Sequence, residues 1–323
     1  MTDLLSRRHL LMAALGLGVG RATRAGAAPA QPATPVNFDV PAGACDCHTH
    51  IFGDPARFTF AATRTYTPEP AAVDELRRLH RALHVGRVVI VQPSVYGTDN
   101  ACTLDALRQL GASARGVAVI DDATPDATLD EMHRAGIRGI RLNLETGGVT
   151  DPSVARQRFE RAVERMRRRN WHIQIYTRPS VIQGIEDLVL KSPVPVVFDH
   201  VGGAQAAGGV QEPGFAALCD LVRSGHAYVK VSAPYQSSTR APDYADVAPL
   251  AEALVAANPQ RLLWGTNWPH PDSSRVAGRK PTDIAPLQQI DDGRVFNQFA
   301  AWVRNPAVRA AILVENPARL YGF

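Results

Sequence analysis

Eight short runs rich in β-branched residues, alternating with amphipathic stretches, constrain this 323-residue chain more than any other feature. They read "ACDCHTH", "RVVIVQPS", "RGVAVID", "GIRGIRLNL", "WHIQIYT", "VPVVFDH", "AYVKVSA" and "RLLWGTN". Between them, Val73–Leu83, Thr103–Leu110, Asp126–Ala135, Val154–Arg169, Val181–Lys191, Gly214–Arg223 and Tyr244–Ala257 carry apolar residues at helical spacing. Eight βα units in about 250 residues are what a (β/α)8 TIM barrel requires. No shift in composition marks a second domain. A doubly wound open sheet is the alternative, but no Gly-x-Gly-x-x-Gly loop follows any strand to hold a dinucleotide. The expectation is a single α/β domain, a (β/α)8 barrel over residues 42–323.

A chain that is 45% hydrophobic and 20% charged can bury a core of that size and remain soluble. Its formal net charge of +4 invites a nucleic-acid reading until the charge is located. Paired Arg7 and Arg8 precede an apolar run, and the small residues of "RAGAAPA" suit signal peptidase. Met1–Ala27 reads as a twin-arginine export signal, with an uncleaved anchor helix as the alternative. Its removal takes away Arg7, Arg8, Arg21, Arg24 and Asp3, a net of three positive charges, so the balance falls from +4 to +1. The mature protein is expected in the periplasm, with no nucleic-acid partner and no stable membrane insertion. A Pro/Ala-rich linker, residues 28–41, leads into the barrel.

Cys45, Cys47, Cys102 and Cys219 lack the spacing of a disulfide framework, and no Cys-x-x-Cys pair offers a zinc ribbon. They read as small buried residues.

Barrels of this kind place their chemistry at the C-terminal ends of the strands, so the polar residues there become the candidate site. His48 and His50, two apart on the first strand, share a face. The second strand ends at Ser94, the fourth carries Arg141 and Asn143, and the fifth ends at Tyr176. Asp199 and His200 end the sixth, and the eighth delivers Asn267 and His270. Each alone has a bland reading as a loop hydrogen-bonder or structural histidine; their convergence points to a site.

"DCHTHIFGD", "FDHVGG", "LWGTNWPHP" and the terminal "ENPARLYGF" resemble the amidohydrolase-related family, in the branch of 2-pyrone-4,6-dicarboxylate lactonase and D-galactarolactone isomerase. The resemblance runs from about Asn37 to Phe323. It implies a (β/α)8 barrel acting on a cyclic ester. Metal-dependent members of the superfamily hold zinc with the first-strand His-x-His, a carboxylated lysine or glutamate on strand 4, histidines on strands 5 and 6 and an aspartate on strand 8. Here Arg141, Tyr176 and Asn267 stand at the strand 4, 5 and 8 positions. The expectation is therefore no cofactor and no metal, with a zinc site of His48, His50 and His200 as the dissenting reading.

Without a metal, N–H groups of His48, His50 and His200, joined by Tyr176, would polarise the lactone carbonyl. Arg141 would grip a substrate carboxylate with its planar fork; its alternative is a buried ion pair with Asp199 or Glu145. Tyr66 and Ser94 also fit the substrate-binding pattern that the resemblance implies. The further arginines of that pattern are absent, with Gly147, Gly203 and Gln236 in their places, so one carboxylate or a hydroxylated sugar-acid lactone is expected. Arg178 and Arg240 could compensate from the loops. Asn267 replaces the aspartate that acts as base in the hydrolytic branch, and an amide accepts no proton at neutral pH. Either His270 or Asp272 serves as the base for hydrolysis, or a substrate hydroxyl attacks its own carbonyl and the enzyme is a lactone isomerase. Hydrolysis of a carboxylated lactone is the expectation, and isomerisation is the alternative. A sugar-acid binding protein without turnover is the reading from another class.

Overall fold

The structure, a computed structural model, describes residues 28–274 and 276–323. The proposed export signal lies outside the described residues. Eight strands form one all-parallel sheet in chain order: β1 (Cys45–Thr49), β2 (Arg87–Val91), β3 (Ala114–Ala118), β4 (Ile137–Asn143), β5 (His172–Tyr176), β6 (Val196–Phe198), β7 (Ala227–Ser232) and β8 (Leu262–Gly265). The last strand meets the first just beyond its own end. Asn267 N–H donates to His48 O and His50 N–H to Trp268 O, both at 2.8 Å, so the two motifs singled out in the sequence close the barrel against each other.

Eight helices follow the strands: α1 (Val73–Ala82), α2 (Ala101–Leu110), α3 (Asp126–Arg134), α4 (Pro152–Met166), α5 (Pro179–Leu190), α6 (Pro213–Arg223), α7 (Ala248–Ala257) and α8 (Asp292–Trp302). Three begin at a proline that apolar periodicity passes over; proline suits the first turn because its missing N–H would have no partner there. The expected start of α7 at Tyr244 moves to Ala248, since Tyr244 has a left-handed backbone (φ 49°). The helix α8 is absent from the periodicity reading. Its N-cap, Asp291, accepts from the amides of Gly293 and Arg294, and also fixes residues 28–41 by accepting from the amides of Ala33 and Thr34. That Pro/Ala-rich segment is thus a strap against α8, with Phe38 stacked edge-on to Phe296 at 4.8 Å.

Strand alternation divides the core in two. Val88, Ile90, Val196 and Val229 pack outward against the helices, while Cys45, Cys47, Val89, Val91, Val117, Val197, Tyr228 and Leu263 form an inner plug that Tyr321 closes from below. All four cysteines are buried and free. Above the plug, the inward residues turn polar.

Candidate active site

The first polar layer above the plug is built on one carboxylate. Asp199, at the end of β6 and fully buried, accepts from Arg141 Nε and Nη2 at 3.1 and 3.0 Å and from Gln174 Nε2 at 3.0 Å. His48 Nδ1 lies 3.1 Å from its other oxygen and Lys230 Nζ 3.3 Å. Arg141, Gln174 and Lys230 come from β4, β5 and β7, where alternation aims one inward residue of each strand at the same level. The Lys230 ammonium, 0% exposed, also reaches Gln174 Oε1 at 2.7 Å and His48 Nδ1 at 3.2 Å. Lys230 is absent from the sequence-derived candidates because it sits inside the strand "AYVKVSA" rather than at its end; its signal is a lysine between two valines of a buried strand.

Burial alone would raise the Asp199 carboxyl. Lys230, His48 and Arg141 outweigh it and hold the group well below the usual carboxylate range. Burial in turn lowers Lys230, with Asp199 opposing. The imidazoles are neutral for the same reason: burial, reinforced by the neighbouring cations, lowers His48 well below its ordinary value and His50 to about 3, and burial takes His200 to about 3 against the opposing pull of Asp199.

A neutral imidazole has one N–H, and the partners decide where it is. His50 Nδ1 lies 2.7 Å from the Val91 carbonyl and so carries the hydrogen, leaving a lone pair at Nε2. That lone pair faces His48 Nε2 at 3.3 Å, which places the His48 hydrogen on Nε2 and leaves its Nδ1 to accept from Lys230. His50 is therefore no donor to a carbonyl, contrary to the expectation, and acts by orienting His48. His200, whose Nδ1 meets Ser232 Oγ at 2.8 Å, keeps Nε2 for the mouth.

Above this layer, His50, Tyr66, Ser94, Arg141, Tyr176, His200 and Asn267 line the inner mouth, so the structure brings these predicted residues together, with Gln236 beside them. Burial pushes Tyr66 and Tyr176 up to about 12, and both hydroxyls remain protonated donors. Tyr176 donates to Gln236 Oε1 at 3.2 Å. Outward, the mouth widens into a cavity of about 1170 Å³ walled by Thr65, Thr146, Thr150, Ser180, Ser237, Ser273 and their neighbours.

Several expectations need correcting. Asn143 lines a separate cavity of about 310 Å³ with Asp121 and Arg158, since the backbone turns immediately after it, with Gly147 N–H on Asn143 O. Arg141 realises its alternative, a buried pair with Asp199, and uses two of its three nitrogens there. Neither loop arginine is free: Arg178 grips Glu145 at 2.6 and 2.8 Å and Arg240 lies 3.6 Å from Asp246. Asp272 is paired with Arg279 at 2.8 Å.

His270 does not reach the mouth. It is 0% exposed, with Nε2 2.9 Å from Asp292 Oδ2 and Nδ1 3.2 Å from Tyr235 Oη. Asn267 Nδ2 donates to the same Tyr235 oxygen at 2.7 Å. Tyr235 and Asp292 escaped the sequence reading because one lies on a single helical turn after β7 and the other in the unrecognised first turn of α8. Asn267 and His270 both have left-handed backbones (φ 65° and 61°), a conformation asparagine tolerates better than most residues.

With this geometry in place, comparison with known proteins decides the family. A sequence model described as amidohydrolase matches residues 45–323, the whole barrel. The chain belongs to the amidohydrolase family. Among its relatives, a 4-sulfomuconolactone hydrolase of Rhizobium radiobacter is 33% identical over 297 residues, 91% of this chain and 95% of that protein. A 2-pyrone-4,6-dicarboxylate hydrolase of Comamonas testosteroni is 34% identical, covering 90% and 94%. D-galactarolactone isomerase of Agrobacterium fabrum is 30% identical, covering 77% and 80%.

The dissenting expectation of a zinc site can be set against this geometry. His48, Asp199 and His200 each place a ligand atom within 4.8 Å of the others, a set that differs from the expected triad by Asp199 in place of His50. His48 Nδ1 and Asp199 Oδ1, which meet at 3.1 Å, are both already faced by Lys230 Nζ, at 3.2 and 3.3 Å. A divalent ion on them would meet an ammonium and a guanidinium, at about 4 kcal/mol per pair of unit charges 4 Å apart for an effective dielectric near 20. The residues fit a metal poorly while Lys230 is charged.

Proposed function

We propose that this amidohydrolase opens the ring ester of a carboxylated, sugar-acid-like lactone by hydrolysis, without a metal. The observation that carries the reading is the charge of the buried cluster: one carboxylate, Asp199, faces two cations, Lys230 and Arg141. Uncompensated buried charge is costly, and an anionic ligand or a developing oxyanion removes that cost. Arg141 Nη1, the nitrogen not used on Asp199, is the donor for a substrate carboxylate. His48 and His200 supply Nε2–H groups to the carbonyl oxygen, the first released from His50, and a preorganised donor of this kind typically contributes about 3 kcal/mol. Tyr176, Tyr66 and Ser94 hold the ring, and the hydroxyl-rich outer cavity suits a substrate with hydroxyls of its own. Two lactone hydrolases among the relatives support water as the nucleophile.

Metal independence belongs to the same proposal. In the chain Lys230, His48, His50, Val91 O every nitrogen facing its neighbour has a partner of the right polarity, with the ammonium where a cation would sit. Chelator-treated protein should keep its full rate on a lactone panel followed by proton release; loss of activity restored by zinc overturns this part. Export to the periplasm is likewise proposed, on Arg7 and Arg8, and is checked by cell fractionation of the full chain.

A second reading, isomerisation, is favoured by Asn267 and by the 30% identical isomerase. In ¹⁸O-water, a labelled open acid from the wild type supports hydrolysis. An unlabelled rearranged lactone, switching to a labelled acid in Asn267→Asp, establishes isomerisation instead. Binding with no change in the lactone's NMR spectrum would mark a binding protein.

A further inference from the structure

We infer that Tyr235 is the proton carrier of this site, backed by His270 and Asp292, and that it occupies the role left open by Asn267. The inference rests on the lactone reading above and goes beyond it by assigning Tyr235 and Asp292, which lie outside the family motifs, and by giving His270 a role behind Tyr235.

Four side chains form one unbranched chain. Asp292 Oδ2 lies 2.9 Å from His270 Nε2, so a neutral His270 carries its hydrogen there and presents a lone pair at Nδ1. That nitrogen is 3.2 Å from Tyr235 Oη, which is the only donor it faces among the described residues. Tyr235 O–H therefore donates to His270, and its oxygen accepts from Asn267 Nδ2 at 2.7 Å. The amide nitrogen of Asn267 being committed, its Oδ1 is left as a buried acceptor with no partner among the described residues, on a side chain 2% exposed that lines the inner mouth with His50, His200 and Arg141. Tyr235 itself lines the outer cavity, whereas His270 behind it is sealed. The order from cavity to interior is acceptor, hydroxyl, imidazole, carboxylate, the arrangement in which a base is oriented by a third group.

The chemistry balances without an external reagent. Water, held by Asn267 Oδ1 through one hydrogen, gives the other to Tyr235 Oη while the tyrosine proton passes to His270 Nδ1, giving an imidazolium opposite Asp292. The water oxygen bonds to the carbonyl carbon, and the carbonyl electron pair moves onto its oxygen. On collapse the ring C–O bond breaks and the leaving alkoxide takes the proton back along the same path. A substrate hydroxyl in place of water follows the same route, so the device serves hydrolysis and isomerisation alike. Asn267 is thereby a positioning residue, and its amide donation stabilises negative charge on the Tyr235 oxygen as the proton leaves.

Two readouts test this in the full chain, with Tyr235→Phe as the variant because it keeps the ring and removes only the hydroxyl. The first needs no turnover: in ¹⁵N-labelled protein, the relay predicts one neutral imidazole protonated at Nε2, whose Nδ1 resonance moves toward that of an unbonded nitrogen in Tyr235→Phe. An Nδ1 that carries a proton, or does not move, overturns the relay. The second is kinetic: Tyr235→Phe should lower kcat about 100-fold or more with KM changed less than about 3-fold, in keeping with general acid–base catalysis. Asp292→Asn should lower kcat similarly and shift its pH profile, which a merely structural loss would not do. Wild-type turnover with an equally active Tyr235→Phe sinks the inference and leaves lactone processing standing. A wild type inert to every lactone sinks the functional reading, and the NMR result then decides the relay alone.

Discussion

The Asp199 cluster and the chain from Asn267 to Asp292 meet at one barrel mouth, joined by the backbone bond from Asn267 to His48, yet they use similar groups in opposite ways. Asp199 is converged upon by Arg141 and Gln174 at one oxygen and by the Lys230 ammonium at the other, so its charge is held by several groups at once. Among the described residues the Asp292 side chain meets His270 alone, and the His270 ring passes from Asp292 to Tyr235, each contact single and each donor followed by an acceptor. Branching fixes charge and produces a static field; a linear chain permits transfer. On the proposed reading the first device polarises a carbonyl and the second moves a proton.

The comparison breaks most severely at Lys230. Lys230→Met should cost about 3–5 kcal/mol of stability by leaving Asp199 short of a partner, read as a lowered midpoint in urea. If unfolding is unchanged, the ammonium was not holding the cluster. The same variant removes the cation from His48 Nδ1 and Asp199 Oδ1, so elemental analysis should find zinc uptake that the wild type lacks.

Acid attacks the same cluster. His50 and His200 fall to about 3 in the folded chain against about 6.5 unfolded. The unfolded state then binds more protons below about pH 6.5, so stability is complete above that pH and declines as pH drops toward 3. The slope from these two groups approaches about 2.7 kcal/mol per pH unit, measurable by denaturation at pH 7, 6 and 5. A flat profile would mean that the imidazoles are accessible to protons in the fold.

Arg141→Lys sharpens the contrast between holding Asp199 and reaching substrate. An ammonium can keep the charge but not two nitrogens on Asp199 and a third for the ligand, so affinity for a carboxylated lactone should fall by about 1–3 kcal/mol while the fold survives. An equal loss for an uncharged lactone would place Arg141 wholly in the cluster. The smallest effect belongs to Asn143→Ala, which should alter kcat/KM less than about 2-fold because Asn143 lines the other cavity; a larger loss would extend the site across β4.

The sequence by itself determined the barrel. A period of two in the strands and of about 3.6 between them is a local property, and eight repetitions leave one parallel closure in which strand ends converge. That convergence made His48, His50, Tyr176, His200 and Asn267 readable as neighbours. Only the tertiary structure decided their protonation and partners, because those depend on groups 35 to 182 positions away in the chain: Lys230 fixes the tautomer of His48, Asp199 claims most of Arg141, and Tyr235 stands between His270 and the mouth. Periodicity states which face a residue takes; which nitrogen carries a hydrogen is set by contacts within about 3 Å, and those exist only once the barrel has closed.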